Sequence, residues 1–182
     1  MEIFLGRQPI FNLNEQIVAY ELLYRNEQTN NFPNIDPDEA TIRVVNNVFI
    51  TMDFDEVTNG RPAFVNFTEN ILLDSFMDNL DPTRVVIEVL EGVELTKSVV
   101  ERIGELKARG FAIALDDFVL EKDIACYKKL FESVDYIKID FLNTSVAERM
   151  EIESVVKEQF PHIELLAEKV ETHQQFRVAV ES

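Results

Sequence analysis

The length, composition and charge of the chain indicate one acidic globular domain and exclude several classes of protein. Its 182 residues are 46% hydrophobic, so a single core can form without disulfide or metal staples. Asp and Glu total 34 against 17 for Lys and Arg, and the net charge of −17 argues against tight binding to long nucleic acids. The single cysteine, Cys126, excludes an internal disulfide and favours the cytoplasm. No apolar run approaches the ~20 residues of a membrane-spanning helix.

The N-terminal part of the chain predicts a β-hairpin, a loop and a helix. The hairpin strands are expected at Phe4–Phe11 and Gln16–Tyr24, antiparallel to each other across a polar turn. Residues 26–38 are polar and include two prolines, which indicates a surface loop. Asp36 or Asp38 is suited to cap the helix that follows. The apolar face of that helix is expected to carry Ala40, Val44, Val45, Val48 and Phe49.

From residue 63 onward, predicted strands and helices alternate. The strands are expected at Ala63–Asn66, Arg84–Val89, Phe111–Leu115, Tyr136–Ile139 and Ile163–Ala167. The helices are expected at Glu69–Asn79, Lys97–Arg109 (ended by Gly110), Lys122–Phe131, Val146–Phe160 and from Thr172 to the end. Strand–helix units in succession imply a parallel sheet, and their number favours a closed barrel. The predicted fold is therefore α/β, a TIM-like barrel with an antiparallel first strand.

The end of the chain does not complete this pattern. The last helical segment shows no clear cap, and a barrel of this kind expects one more strand after it. We therefore expect residues 1–182 to form a single domain that stops before its final strand. The two strands at the open edges of such a sheet invite pairing with another chain, so a homo-oligomer is expected.

Acidic and amide side chains stand near the C-terminal ends of most predicted strands. They are Glu21, Asn66, Glu88, Asp116, Asp117, Asp140 and Glu168. In a barrel of parallel strands these ends gather at one mouth, where such folds place their chemistry. So many carboxylates at one rim would repel one another unless a cation or a substrate neutralised them. The sequence therefore predicts a divalent-metal site.

The residue types at this mouth suit chemistry on a phosphate. Magnesium and manganese prefer oxygen ligands, and the suitable ones are Glu21, Asn66, Glu88 and Asp116. Asp117 is the natural bridge between two metals, which together would clamp an in-line attack on phosphorus. Lys138 points to the same side of its strand as Asp140 and is suited to orient water or to steady phosphate charge. Arg25 suits a phosphate oxygen.

Each of these residues also has a simpler interpretation. A single carboxylate at a strand end is more often a helix cap or a solvated loop residue. Lys138 could pair with Asp140 or Asp116, and Asn66 could cap the helix that begins near Glu69. The same placement on successive strands favours a site, because independent caps would not converge on one mouth.

Seven motifs in order carry a resemblance to a known family. They are Gln8-Pro9-Ile10, Ala19-Tyr20-Glu21-Leu22-Leu23-Tyr24-Arg25, Val65-Asn66-Phe67-Thr68, Ile87-Glu88-Val89-Leu90-Glu91, Leu115-Asp116-Asp117-Phe118, Val134-Asp135-Tyr136-Ile137-Lys138-Ile139-Asp140 and Ala167-Glu168-Lys169-Val170-Glu171. Their order and spacing resemble the EAL domain family over nearly the whole chain. Members of that family are bacterial phosphodiesterases that linearise cyclic di-GMP with magnesium or manganese, on a barrel with one antiparallel strand.

The resemblance implies a role for each matching residue. Metal ligands would be Glu21, Asn66, Glu88 and Asp116, with Asp117 also at the metals. Lys138 would assist the attacking water, Glu168 would support the metal site, and Glu171 would be an acid behind it. The dinucleotide pocket would be lined by Gln8, Leu23 and Arg25.

The chain departs from the family pattern at several points. Leu22 replaces the alanine of the signature triplet, Leu90 replaces a threonine, and Lys169 replaces a glycine. The glycine-containing loop after the paired aspartates reads Phe118-Val119-Leu120-Glu121. These changes resemble a branch in which an EAL-like domain precedes an HDOD domain, and members of that branch often look inactive.

We therefore expect a cyclic di-GMP signalling protein whose degenerate site binds a ligand or a partner rather than hydrolysing the dinucleotide. The alternatives are an active metal-dependent phosphodiesterase and another magnesium-dependent phosphohydrolase on the same barrel. The expected partners are cyclic di-GMP and an HDOD domain in a longer protein.

Overall fold

The computed structural model describes residues 4–25, 36–48, 52–120 and 124–181. Most of the polar loop predicted at 26–38 lies outside these ranges, as do Phe49 and the predicted helix start at Lys122. The described strands are β1 Phe4–Phe11, β2 Ile17–Arg25, β3 Ala63–Phe67, β4 Val85–Val89, β5 Ala112–Leu115, β6 Tyr136–Asp140 and β7 Glu164–Glu168. Each prediction of a strand is thus confirmed, with ends displaced by one residue or less.

These strands form one curled sheet in the order β1-β2-β3-β4-β5-β6-β7. β1 is antiparallel to β2, and every later neighbour is parallel, as the alternation of strands and helices predicts. β1 and β7 lie at the two edges, and no pairing among the described residues joins them. The prediction of a TIM-like barrel with an antiparallel first strand is confirmed. Within the described ranges the sheet is a curled part of a barrel.

Seven α-helices accompany the sheet in the described residues. They are α1 Pro37–Asn46, α2 Phe54–Thr58, α3 Glu69–Leu73, α4 Lys97–Ala108, α5 Lys128–Phe131, α6 Val146–Gln159 and α7 His173–Glu181. Asp36, one of the two predicted caps, accepts hydrogen bonds from the amides of Asp38 and Glu39 and so caps α1. Gly110, with φ +100°, follows the last turn of α4 as predicted. No helix in the described part of the chain is both long and apolar enough to cross a membrane.

Two predicted helices are broken into shorter pieces. The helix expected over 69–79 divides at Asp74, which is extended (φ −77°, ψ 148°) and whose side chain accepts from the amide of Phe76 at 2.6 Å. A short acidic side chain competes in this way with the helical hydrogen bonds and starts a 3₁₀ turn at Ser75–Asn79. The helix expected to end at Phe131 is reduced to a 3₁₀ turn at Ile124–Cys126 and to α5. Cys126 is exposed there.

The main hydrophobic core lies between the outer face of the sheet and the helices. It includes Phe67, Ile87, Ile113 and Ile137 from the strands and Ile103 from α4, each with at most 1% of its surface exposed. Burial of this many large side chains is the main force that holds the helices on the sheet. The sheet is thereby fixed as a rigid support, and its inner face is left for other side chains.

Candidate functional site

The inner face of the sheet carries an apolar layer and a charged layer. Toward the N-terminal ends of the strands, the apolar side chains pack on one another. They include Ala19, Phe64, Val86, Ala114, Tyr136 and Leu166, on β2 to β7 respectively. Because side chains alternate across a strand, the residue two positions further along each strand belongs to the same face. Those residues are Glu21, Asn66, Glu88, Asp116, Lys138 and Glu168.

Lys138 lies at the centre of the charged layer. Its Nζ donates a hydrogen bond to Glu88 Oε1 and lies 2.9 Å from Asp116 Oδ1. The same Nζ lies 2.8 Å from Glu168 Oε1 and 3.7 Å from Glu21 Oε1. Lys138 and Glu88 are buried, at 2% and 0% exposed. One cation therefore holds together carboxylates contributed by β2, β4, β7 and the end of β5.

Burial and opposite charge set the pKa values in this layer. Burial would lower the pKa of Lys138, but the carboxylates of Glu88, Glu21, Asp116 and Glu168 raise it, so its ammonium stays charged. Burial raises the pKa of Glu88 against the attraction of Lys138, and the charges of Glu21 and Asp116 raise it further. Burial also raises the pKa of Glu168 to about 7. The layer thus contains more acid than one lysine neutralises.

A second lysine, Lys169, lies beside the outer part of this layer. Its Nζ donates to Asp140 Oδ2 and lies 3.4 Å from Asp117 Oδ2. Asp140 Oδ1 accepts from the amides of Leu142 and Asn143 at 2.7 Å and 3.0 Å, and its Oδ2 accepts from Asn143 Nδ2 at 2.6 Å. Burial would raise the pKa of Asp140, but the hydrogen bonds from Lys169, Asn143 and Leu142 lower it to about 2. Asp140 therefore anchors the loop after β6.

Three acceptor atoms of this region are buried without a hydrogen-bond partner among the described residues: Asn66 Oδ1, Glu88 Oε2 and Asp117 Oδ1. Buried acceptors are normally paired, so these atoms call for a donor or a cation. One oxygen from each of Asp116, Asp117 and Glu168 also lies within 4.8 Å of the other two. All these groups are carboxylate or amide oxygens, which suit magnesium, manganese or calcium. The residues present therefore fit a divalent cation.

The residues predicted to line a ligand pocket lie on the two hairpin strands. Gln8 stands directly opposite Glu21, and Gly6 stands opposite Leu23. The stem of Arg25 crosses Gly6, with its Cγ and Nε 3.4 Å from the position that a Cβ on Gly6 would take. Gln8 is exposed, whereas Leu23 and Arg25 are half-buried. These three side chains therefore share the inner face with Glu21, at the rim of the charged layer.

The structure tests the simpler interpretations of Asn66 and Lys138, whereas the role of Glu171 stays a prediction. Glu171 is exposed in the segment after β7, where its backbone amide donates to Gln175 Oε1 at 2.9 Å. The alternative role of Asn66 as a helix cap is wrong, because Thr68 caps α3. Of the two alternative partners of Lys138, Asp116 is confirmed, whereas Asp140 pairs with Lys169 instead. Sequence reasoning treats Lys169 only as a substitution for glycine and misses its ion pairs.

Comparisons with known proteins point to one family. No family model matches the chain. The chain is 40% identical over its whole length to YuxH of Bacillus subtilis, an uncharacterised protein of which it covers 44%. It is 30% identical, over 97% of its length, to the cyclic di-GMP phosphodiesterase CdgJ of Vibrio cholerae, of which it covers 40%. The chain thus spans less than half the length of these two relatives.

A solved structure gives the corresponding match in fold. The YkuI protein of Bacillus subtilis, which has an EAL domain and was crystallised with substrate c-di-GMP and calcium, matches 98% of this chain with a TM-score of 0.73. The identity is 22%, and the match covers 51% of the YkuI chain. The fold is that of an EAL domain. The ordered motifs of the sequence resemble the same family.

Proposed function

We propose that this chain is a cyclic di-GMP signalling domain that binds the dinucleotide in a cation-dependent way and does not hydrolyse it efficiently. The observation that carries the proposal is the charged layer at the C-terminal ends of the strands, with its three unpartnered acceptors. A phosphodiester is an anion, and an acidic rim repels it unless a cation lies between them. Magnesium or manganese, held by Asp116, Asp117 and Glu168 with the nearby Asn66 and Glu88, would supply that positive charge.

The rim formed by β1 and β2 supports binding of a phosphate. Arg25, on the same face as Glu21, carries a guanidinium suited to two phosphate oxygens. Gln8 offers an amide to a base or a sugar, and Leu23 offers apolar contact. CdgJ and YkuI, whose names record cyclic di-GMP as substrate, support the choice of this dinucleotide among phosphodiesters.

Two features favour binding over hydrolysis. Lys138 is committed to ion pairs with Glu88, Asp116 and Glu168, so it is poorly placed to orient an attacking water. The loop after Asp117 lacks the glycines of the family pattern and continues through Phe118, which is buried in the core. A catalytic site tolerates displacements of only about 0.5 Å, so both features favour a receptor.

Phosphodiester hydrolysis is the second candidate, and the completeness of the acid set favours it. Every matched strand supplies its expected carboxylate, amide or lysine on the inner face. When bound, a divalent ion supplies a Lewis acid that polarises the phosphoryl oxygen. Lys138 would then steady the negative charge that develops on phosphorus.

One set of measurements separates the two candidates. Cyclic di-GMP is titrated into the chain with manganese or with EDTA, and the mixtures are then analysed for the linear dinucleotide. We expect binding with manganese only, and no linear product. Arg25→Ala should weaken binding at least tenfold, whereas Arg61→Ala, an exposed arginine before β3, should leave it unchanged. Absence of binding with manganese would reject the proposal, and multiple turnovers would favour the phosphodiesterase.

A neighbouring domain, the location in the cell and the roles of single residues are separate proposals. The relatives extend well beyond the region that matches this chain, which supports a further domain in their case. The predicted HDOD neighbour, the cytoplasmic location and the roles of individual site residues stay predictions.

A further inference from the structure

We propose that Lys169 is a fixed cation that fills one of two cation positions in this centre, so that the chain binds one divalent ion rather than two. The inference deepens the proposed function, because it concerns the cation that cyclic di-GMP binding would require. It starts from the place where two carboxylates converge on one ammonium. Lys169 Nζ donates to Asp140 and lies 3.4 Å from Asp117.

The backbone at both ends of the Lys169–Asp117 contact has an unfavourable conformation. Lys169 has φ 54°, in the left-handed region that favours glycine, and Asp117 has φ 42°. A residue with a Cβ is less stable there than glycine. Both ends of the Lys169–Asp117 contact are therefore held in an unfavourable backbone conformation, and the ion pairs help to offset it.

Few carboxylate oxygens near Lys169 are left to bind a metal ion. Asp140 accepts hydrogen bonds at both carboxylate oxygens, including the one from Lys169, so it has little capacity to bind a metal. Asp117 faces the ammonium with Oδ2, while its Oδ1 is buried and unpartnered. Asp117 also contributes one oxygen to the group that it forms with Asp116 and Glu168, and that group suits one ion.

A two-metal centre would need more than this. A bridging carboxylate gives one oxygen to each ion, and Asp117 is the bridge that the sequence predicts. Here one of its oxygens already faces Lys169. A second divalent ion on Asp117 Oδ2 and Asp140 Oδ2 would have an ammonium as its near neighbour, and like charges at such distances repel strongly. Lys169 thus acts as a specificity-determining residue for cation number.

The test counts manganese ions per chain. Calorimetric titration with MnCl₂ should give one ion for wild type and two for Lys169→Gly, a variant that also relieves the positive φ and so should fold. Low-temperature electron paramagnetic resonance should show an exchange-coupled manganese pair only in Lys169→Gly. Lys169→Arg keeps the charge and should stay at one ion.

Lys107→Met is the matched control. Lys107 pairs with Asp135 at 2.5 Å, and its side chain is 38% exposed, close to the 44% of Lys169. It lies on α4, outside the charged layer, so this variant should bind one ion. Two ions in wild type, one ion in Lys169→Gly, or no binding in either would overturn the inference. One ion in wild type and two in Lys169→Gly, with no binding of cyclic di-GMP, would uphold the inference about Lys169 and reject the proposed function.

Discussion

Replacement of Lys138 by methionine tests whether the charged layer is held together by one buried cation. The side chain keeps its length but loses its charge, which leaves Glu88, with 0% exposure, beside Asp116 and Glu168 without their common partner. Removal of one member of a buried ion pair typically costs about 3–5 kcal/mol, because the other charge stays buried and unpaired. We expect Lys138→Met to lose about 3 kcal/mol of unfolding free energy at pH 7.5 in EDTA.

The assay is urea unfolding followed by circular dichroism. The double variant Lys138→Met, Glu88→Gln should recover at least half of the loss, since the glutamine carries no charge. The loss in Lys138→Met should also shrink at pH 5.5. Glu88 already has a raised pKa, and without the lysine it should take up a proton more readily. Manganese should restore part of the stability by binding the folded state.

Two results would refute this reasoning. One is a single variant whose unfolding free energy lies within 1 kcal/mol of wild type. The other is a double variant no more stable than the single one. Lys107→Met, which removes a half-exposed lysine from a surface pair, should cost less than about 1 kcal/mol and serves as the control.

Three further predictions concern the loop after β6, a helix cap and the edges of the sheet. The pKa of Asp140 is lowered from 3.8 to about 2, so its stabilisation is present above pH 4 and is lost as the pH falls through about 2. Asp140→Asn should lower the free energy of unfolding by about 2 kcal/mol at pH 5. The difference in urea midpoint between this variant and wild type should narrow toward pH 2. A difference that stays constant with pH would contradict this account. Ser145 forms a capping box with Glu148 at the start of α6, so Ser145→Ala should cost about 1 kcal/mol by thermal melting, while Ser154→Ala within the helix should not. Because β1 and β7 are edge strands, light scattering should find dimers or larger species at high concentration, and a monomer at every concentration would count against edge pairing.

The strands and helices follow from the sequence because they are local properties. The same holds for the list of residues that share the inner face of the sheet. Strands alternate buried and exposed positions with a period of two, and that period alone puts Glu88 and Lys138 on the same face as Val86 and Tyr136. The parallel order follows from strand–helix alternation, and the antiparallel start follows from the short hairpin turn. The prediction that carboxylates on successive strands converge is therefore confirmed by the structure.

The partners of the charged groups depend on distances between strands that are far apart in the chain. Lys138 meets Glu88 across fifty positions of sequence, and Lys169 meets Asp117 across 52. Nothing local distinguishes Asp116 from Asp140 as a partner of Lys138, and only the curl of the sheet decides between them. The left-handed backbone at Lys169 is likewise invisible to propensity, because sequence rules favour glycine there. The sequence by itself determined which groups share the mouth of the sheet, whereas the tertiary structure decided which charges pair and which acceptors are left for a cation, since ion pairing falls off steeply with distance and burial.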